Sequence, residues 1–119
     1  MGLAAVLSST QAHQGIVLKE HGRTEIYGVS SPQNPIQHWK ILDCLIGLES
    51  SGDGEAVGDN GLARNVLQFH EQTFNSFKSR YGLHRLEWDN AWHQIILADK
   101  MLEEDMDNIT HWTPYLKCV

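Results

Sequence analysis

The chain has 119 residues, of which 41% are hydrophobic and 20% charged. That composition suits one folded domain with a modest core and is that of an ordinary globular chain rather than a disordered one. Fifteen acids against nine bases leave a formal charge of −6, which excludes nucleic acid as the main partner, because phosphate binding needs a basic face.

Residues 1–15 carry no clear period. The first dozen, MGLAAVLSSTQA, hold a short apolar patch from Leu3 to Leu7 with no basic residue before it. They read as a frayed terminus or the remnant of a secretion signal. Ile16-Val17-Leu18 and Thr24-Glu25-Ile26-Tyr27 flank Glu20-His21-Gly22-Arg23, which reads as two short strands around a turn. Ser30 to Pro35 is a loop. Pro35 suits the first position of a helix capped by Asn34 and running to about Ser50. Its polar stripe is narrow (Lys40, Asp43, Gly47), and its remaining faces carry Ile36, Trp39, Ile41, Leu42, Cys44, Leu45, Ile46 and Leu48, so it is predicted to be buried and central.

Four glycines between residues 51 and 61 mark a loop. Glu71 to Tyr81 reads as a second helix, with Phe74, Phe77 and Tyr81 on one face and Gly82 ending it. A third helix is predicted from Trp88 to Asp105, with a core stripe of Trp88, Ala91, Trp92, Ile95, Ala98 and Leu102. The tail holds an aromatic turn, His111-Trp112-Thr113-Pro114-Tyr115, and then Cys118. No apolar run reaches the roughly 18 residues that a membrane span requires. The two cysteines, Cys44 and Cys118, form no CxxC pair; the count fits one disulfide or two buried thiols.

Glu49 ends the most apolar segment of the chain. Leu42, Leu45 and Ile46 lie seven, four and three residues before it, so it continues their stripe. A carboxyl at the rim of a core is partly desolvated, which raises its pKa. The negative end of the helix dipole acts in the same direction. A carboxylic acid that keeps its proton near neutral pH is what general-acid catalysis needs.

The residues around it carry a resemblance. Glu49-Ser50, a short spacer, Ala56-Val57-Gly58-Asp59-Asn60-Gly61, Ala63 and Val66-Leu67-Gln68-Phe69 resemble the active-site block of the lysozyme-like lytic transglycosylases, which cut the glycan strands of bacterial cell wall. The match is close over about 22 residues, and the stretch from Pro35 to Cys118 is compatible with that fold. The resemblance implies Glu49 as catalytic acid, Ser50 hydrogen-bonded to its carboxylate, Gln68 on an N-acetyl sugar, and Phe69 packed behind. It also implies a Cys44–Cys118 disulfide tying the helix of the acid to the tail. One departure is Asn65, where the family has glycine. Asparagine tolerates φ > 0 better than most residues, but its side chain stands where the family leaves room for sugar.

By the same resemblance the reaction is a lyase step on the MurNAc-GlcNAc β-1,4 bond that closes an anhydro-muramyl ring and consumes no water. A lysozyme-type hydrolase would need a second acid, for which Asp53 and Asp59 are the candidates, each also good turn chemistry. A glycan-binding or virion structural module that has lost turnover is the other alternative, motivated by Asn65. Trp112 and Tyr115 are candidates for the cleft wall, while Trp39, Trp88, Trp92 and Tyr81 fall on apolar stripes and read as core.

No metal or cofactor is expected. His70-Glu71-Gln72-Thr73-Phe74 starts like the zinc-protease signature HExxH, but Phe74 replaces the second ligand. His84 and His93 are nine residues apart, and the loop lacks EF-hand spacing. The expected fold is therefore mainly α, of the α+β lysozyme-like kind, in one small domain: an arm over 1–34 with a short hairpin, and a catalytic part over 35–119. The expected protein is a monomer acting on peptidoglycan, secreted, periplasmic or phage-associated.

Overall fold

A computed structural model describes residues 15–20, 23–28 and 36–119. The signal-like stretch 1–12, the Asn34 cap and Pro35 lie outside the described residues. The hairpin is present. Strands β1 (Gly15–Glu20) and β2 (Arg23–Gly28) run antiparallel, in register from Gly15↔Gly28 to Glu20↔Arg23. Ile16 and Leu18, two residues apart on β1, are both buried, as strand alternation requires.

Helix α1 (Trp39–Ser50) buries Leu42, Leu45 and Ile46. It packs against β1, a later helix and the C-terminal turn, which makes it central. Its buried face is narrower than the sequence suggests, because Leu48 is 47% exposed. Asp99, from that later helix, serves its N-terminus. One carboxylate oxygen accepts the Gln37 N–H (3.1 Å) and the other the His38 N–H (2.8 Å). The N–H of the cap residue, His38, and that of the residue before it are thereby satisfied by a partner 61–62 residues away. The helix ends where Ser51 takes a left-handed conformation, φ 55°.

Residues 57–70, read in part as loop, contain a small antiparallel sheet in the order β3 (Val57–Gly58), β4 (Ala63–Arg64), β5 (Phe69–His70). Strands of two residues are too short to leave an alternating pattern in sequence. Helix α2 (Glu71–Arg80) matches its predicted span and buries Phe74 and Phe77. Gly82, at φ +70°, follows its end. Helix α3 (Ala91–Glu104) starts three residues later than predicted, because the Asn90 side chain accepts the His93 N–H and caps it there. Two 3-10 turns, Met106–His111 and Thr113–Lys117, close the described chain. The whole is a small domain, mainly α with some β, around one hydrophobic cluster.

Cys44 of α1 and Cys118 of the tail form the implied disulfide, with Cα atoms 5.7 Å apart. It closes a span of 74 residues. Replacing both cysteines with serine is expected to lower unfolding stability by roughly 2–4 kcal/mol, read from denaturant midpoints, and a reducing agent should shift the wild type alone.

Candidate functional site

Glu49 lies half-buried on the last turn of α1. Its pKa is raised, first by burial and second by the negative charge of Asp59. Among the described residues no group is hydrogen-bonded to its carboxyl, so nothing there compensates the desolvation of the charged form.

Ser50, expected on that carboxylate, bonds elsewhere. Its hydroxyl lies 2.7 Å from the Val66 carbonyl and 3.1 Å from that of Ile46, and it accepts the Gly52 N–H at 3.2 Å. It therefore pins the helix end to the segment that carries Gln68. On the other side β1 holds the loop after Glu49: the Lys19 N–H donates to the Gly52 carbonyl and the Gly54 N–H donates to the Lys19 carbonyl, each at 2.7 Å.

The turn from Asn65 to Gln68 hangs from side chains of several elements. The buried amide of Gln94, on α3, accepts the Leu67 N–H (3.0 Å) and donates to the carbonyls of Arg64 (2.9 Å) and Trp88 (2.8 Å). Trp112 Nε1 donates to the Leu67 carbonyl (3.0 Å), and Trp88 Nε1 donates to the Phe69 carbonyl (2.7 Å). Among the described residues the non-glycine residues at positive φ are Ser51, Asp59, Asn60, Asn65 and Gln68. All fall between Glu49 and Phe69. Such conformations cost roughly 1–3 kcal/mol each for an ordinary side chain and persist where the surroundings hold them.

Asn65 takes φ +70°, so asparagine does occupy a glycine-like conformation here. Its side chain does not project into open space: it is 2% exposed, donates to Asp89 Oδ1 (3.0 Å) and accepts the Val66 N–H (2.8 Å). Gln68 Nε2 donates to the carbonyls of Asn65 (2.9 Å) and Ala56 (3.1 Å), so only Oε1 is left for a sugar amide. Gly58 makes room for that oxygen, since a Cβ there would collide with Gln68 Oε1.

Phe69 is buried, edge-on to Phe74 and Trp112, which is the packing role expected of it. Trp112, expected on the cleft wall, is instead a core residue at 3% exposure, because its indole N–H is held by Leu67. It only borders a hollow of about 70 Å³ that it shares with Gln68, His70, Thr73 and His111. Tyr115 sits half-buried against the core in the last 3-10 turn, and no hydrogen bond among the described residues joins it to Glu49. Trp39, Trp88, Trp92 and Tyr81 pack against the core as expected.

The two candidate second acids separate. Asp53 accepts the Glu55 N–H (2.9 Å) in a turn, and its backbone lies beside Lys19. Asp59 is the acid whose charge reaches Glu49, and His70 Nε2 holds its Oδ2 at 2.8 Å. Among the described residues no three His, Cys, Asp or Glu side chains are arranged to share a metal ion, and no helix there is long and apolar enough to cross a membrane.

Sequence reasoning missed Gln94, Asp99 and the Asp59–His70 pair. Gln94 left a signal: a polar residue three after Ala91 and four before Ala98, inside the predicted core stripe. The Asp59–His70 contact left none, because it depends on how β5 folds back beside the 59–61 turn. Compared with models of known protein families, with curated proteins and with solved structures, the chain gives no significant match.

Proposed function

We propose that the chain is a peptidoglycan-cleaving enzyme of the lytic transglycosylase type, with Glu49 as its general acid and base. One observation carries the reading: a half-buried carboxyl with a raised pKa ends the central helix, pinned to the strained turn that carries Gln68. In the reaction, protonated Glu49 gives its proton to the glycosidic oxygen between MurNAc and GlcNAc as the C1–O bond breaks. The carboxylate then takes the proton of the 6-hydroxyl, whose oxygen closes on C1. Glu49 regains its proton, and the chemistry calls for no cofactor. The disulfide is compatible with an extracellular setting, and a secreted, periplasmic or phage-borne monomer is the form proposed. Mass analysis of digested peptidoglycan tests the reading: anhydro-muramyl ends support the lyase, and reducing ends alone refute it.

A hydrolase on the same scaffold is favoured by one observation, the reach of the Asp59 charge to Glu49. Asp59→Asn separates the readings. If Asp59 only tunes Glu49, removing its charge lowers the Glu49 pKa, so less of the acid is protonated at a given pH. The alkaline limb of the pH–rate profile then moves to lower pH while the plateau holds. If Asp59 orients water, the plateau itself falls, by about 100-fold or more.

A further inference from the structure

A second pocket, of about 250 Å³, opens between the 54–57 segment and the Arg64–Asn65 corner, with Asp89 on its wall. Glu49 does not line it. Its volume is below the roughly 300–1,000 Å³ usual for drug-sized ligands, so it suits a small group rather than a run of sugars.

Its chemistry is charged. The Arg64 guanidinium lies over the Trp88 ring, 5.7 Å from the centroid, and no carboxylate among the described residues pairs with it. A planar guanidinium held against an indole is arranged to receive a carboxylate through two parallel hydrogen bonds. Asp89 uses Oδ1 to accept the Asn65 side-chain N–H (3.0 Å), and no described residue donates to its Oδ2. With that oxygen directed to no described donor, Asp89 makes its side of the pocket favourable for an ammonium. Sugar hydroxyls carry no charge, so a glycan by itself does not match a pocket lined by both Arg64 and Asp89.

We propose that this pocket binds an amino-acid branch bearing both a free carboxylate and a free amine, with Arg64 on the carboxylate and Asp89 on the amine. Resting on the peptidoglycan reading, the branch is the stem peptide carried by muramic acid, and the pocket selects strands that still bear it. Asn65 then links the two sites: it shapes the Gln68 turn with its backbone and braces Asp89 with its side chain.

The test is an amide NMR titration of the full chain with free stem tetrapeptide. Saturable shifts at Gly54, Ala56, Arg64 and Asp89 are expected. Affinity should fall tenfold or more in Arg64→Gln, and equally when the peptide's carboxylates are amidated. A wild-type spectrum unmoved by the peptide overturns the proposal, as does equal binding by Arg64→Gln. Arg64 serves the fold through its carbonyl, which glutamine keeps, and through its place over the Trp88 ring, which glutamine loses; an unchanged melting temperature of Arg64→Gln therefore separates lost binding from lost folding. Glu49→Gln should bind the peptide as wild type does. Peptide binding without glycan cleavage in the wild type would thus remove the enzyme reading and keep the pocket; cleavage without peptide binding would do the reverse.

Discussion

Glu49→Gln is expected to lose cell-wall cleavage by about 100-fold or more, since a positioned general acid typically contributes 10²–10⁴-fold. The same variant is expected to melt higher than wild type at neutral pH. Burial and Asp59 raise the Glu49 pKa in the folded protein, so the folded state holds this proton more tightly than the unfolded state. Stability from this group is therefore greatest below the ordinary carboxylate range and falls as pH rises through the folded value. Above that value the half-buried site carries a charge that no described residue compensates by a hydrogen bond, which glutamine never does. Thermal melts should thus converge near about pH 3, where the acid is protonated in both states, and separate at about pH 7. Clearing of a cell-wall suspension by the variant at the wild-type rate would remove Glu49 from the chemistry. A lower melting temperature at neutral pH would contradict the buried charge.

Gln94→Leu is expected to be the most damaging single change away from Glu49. The volumes are similar, so the loss is one of hydrogen bonds: the Leu67 N–H and the carbonyls of Arg64 and Trp88 lose their partner. A buried backbone group left unpaired costs roughly 1–3 kcal/mol, so a total of about 3 kcal/mol or more is expected in urea unfolding. Cleavage should fall as well, because Leu67 adjoins Gln68 and its N–H helps hold the turn. A shift in unfolding free energy under about 0.5 kcal/mol, the range of neutral surface changes, would show that the clamp contributes nothing.

The pairing of gain and loss follows from where strain sits. Ser51, Asp59, Asn60, Asn65 and Gln68 hold left-handed conformations within one stretch of 18 positions. That stretch is tied down by β1 on one side and by Ser50, Gln94, Trp88 and Trp112 on the others. The scaffold thus holds costly backbone where it borders the carboxyl, a pattern found at functional sites.

Several features were legible from residue order because their causes are local. The apolar periods read over 35–50, 71–81 and 88–105 mark the three helices found at 39–50, 71–80 and 91–104, Gly82 marks an end, and Ile16 with Leu18 marks a strand. The raised pKa of Glu49 was legible too, since the apolar residues three, four and seven before it share its face. The boundaries set by distant partners were not. Asp99 receives the N–H groups at the head of α1 from 61–62 residues away, and Gln94 holds a turn 27 residues before it. Trp112 became core rather than cleft because its N–H met the Leu67 carbonyl across 45 residues. Hydrophobic spacing, caps and glycine act over a few residues and so can be read along a line. Which buried polar group meets which is decided only when the elements pack, because desolvation makes each such partner obligatory without naming it in advance.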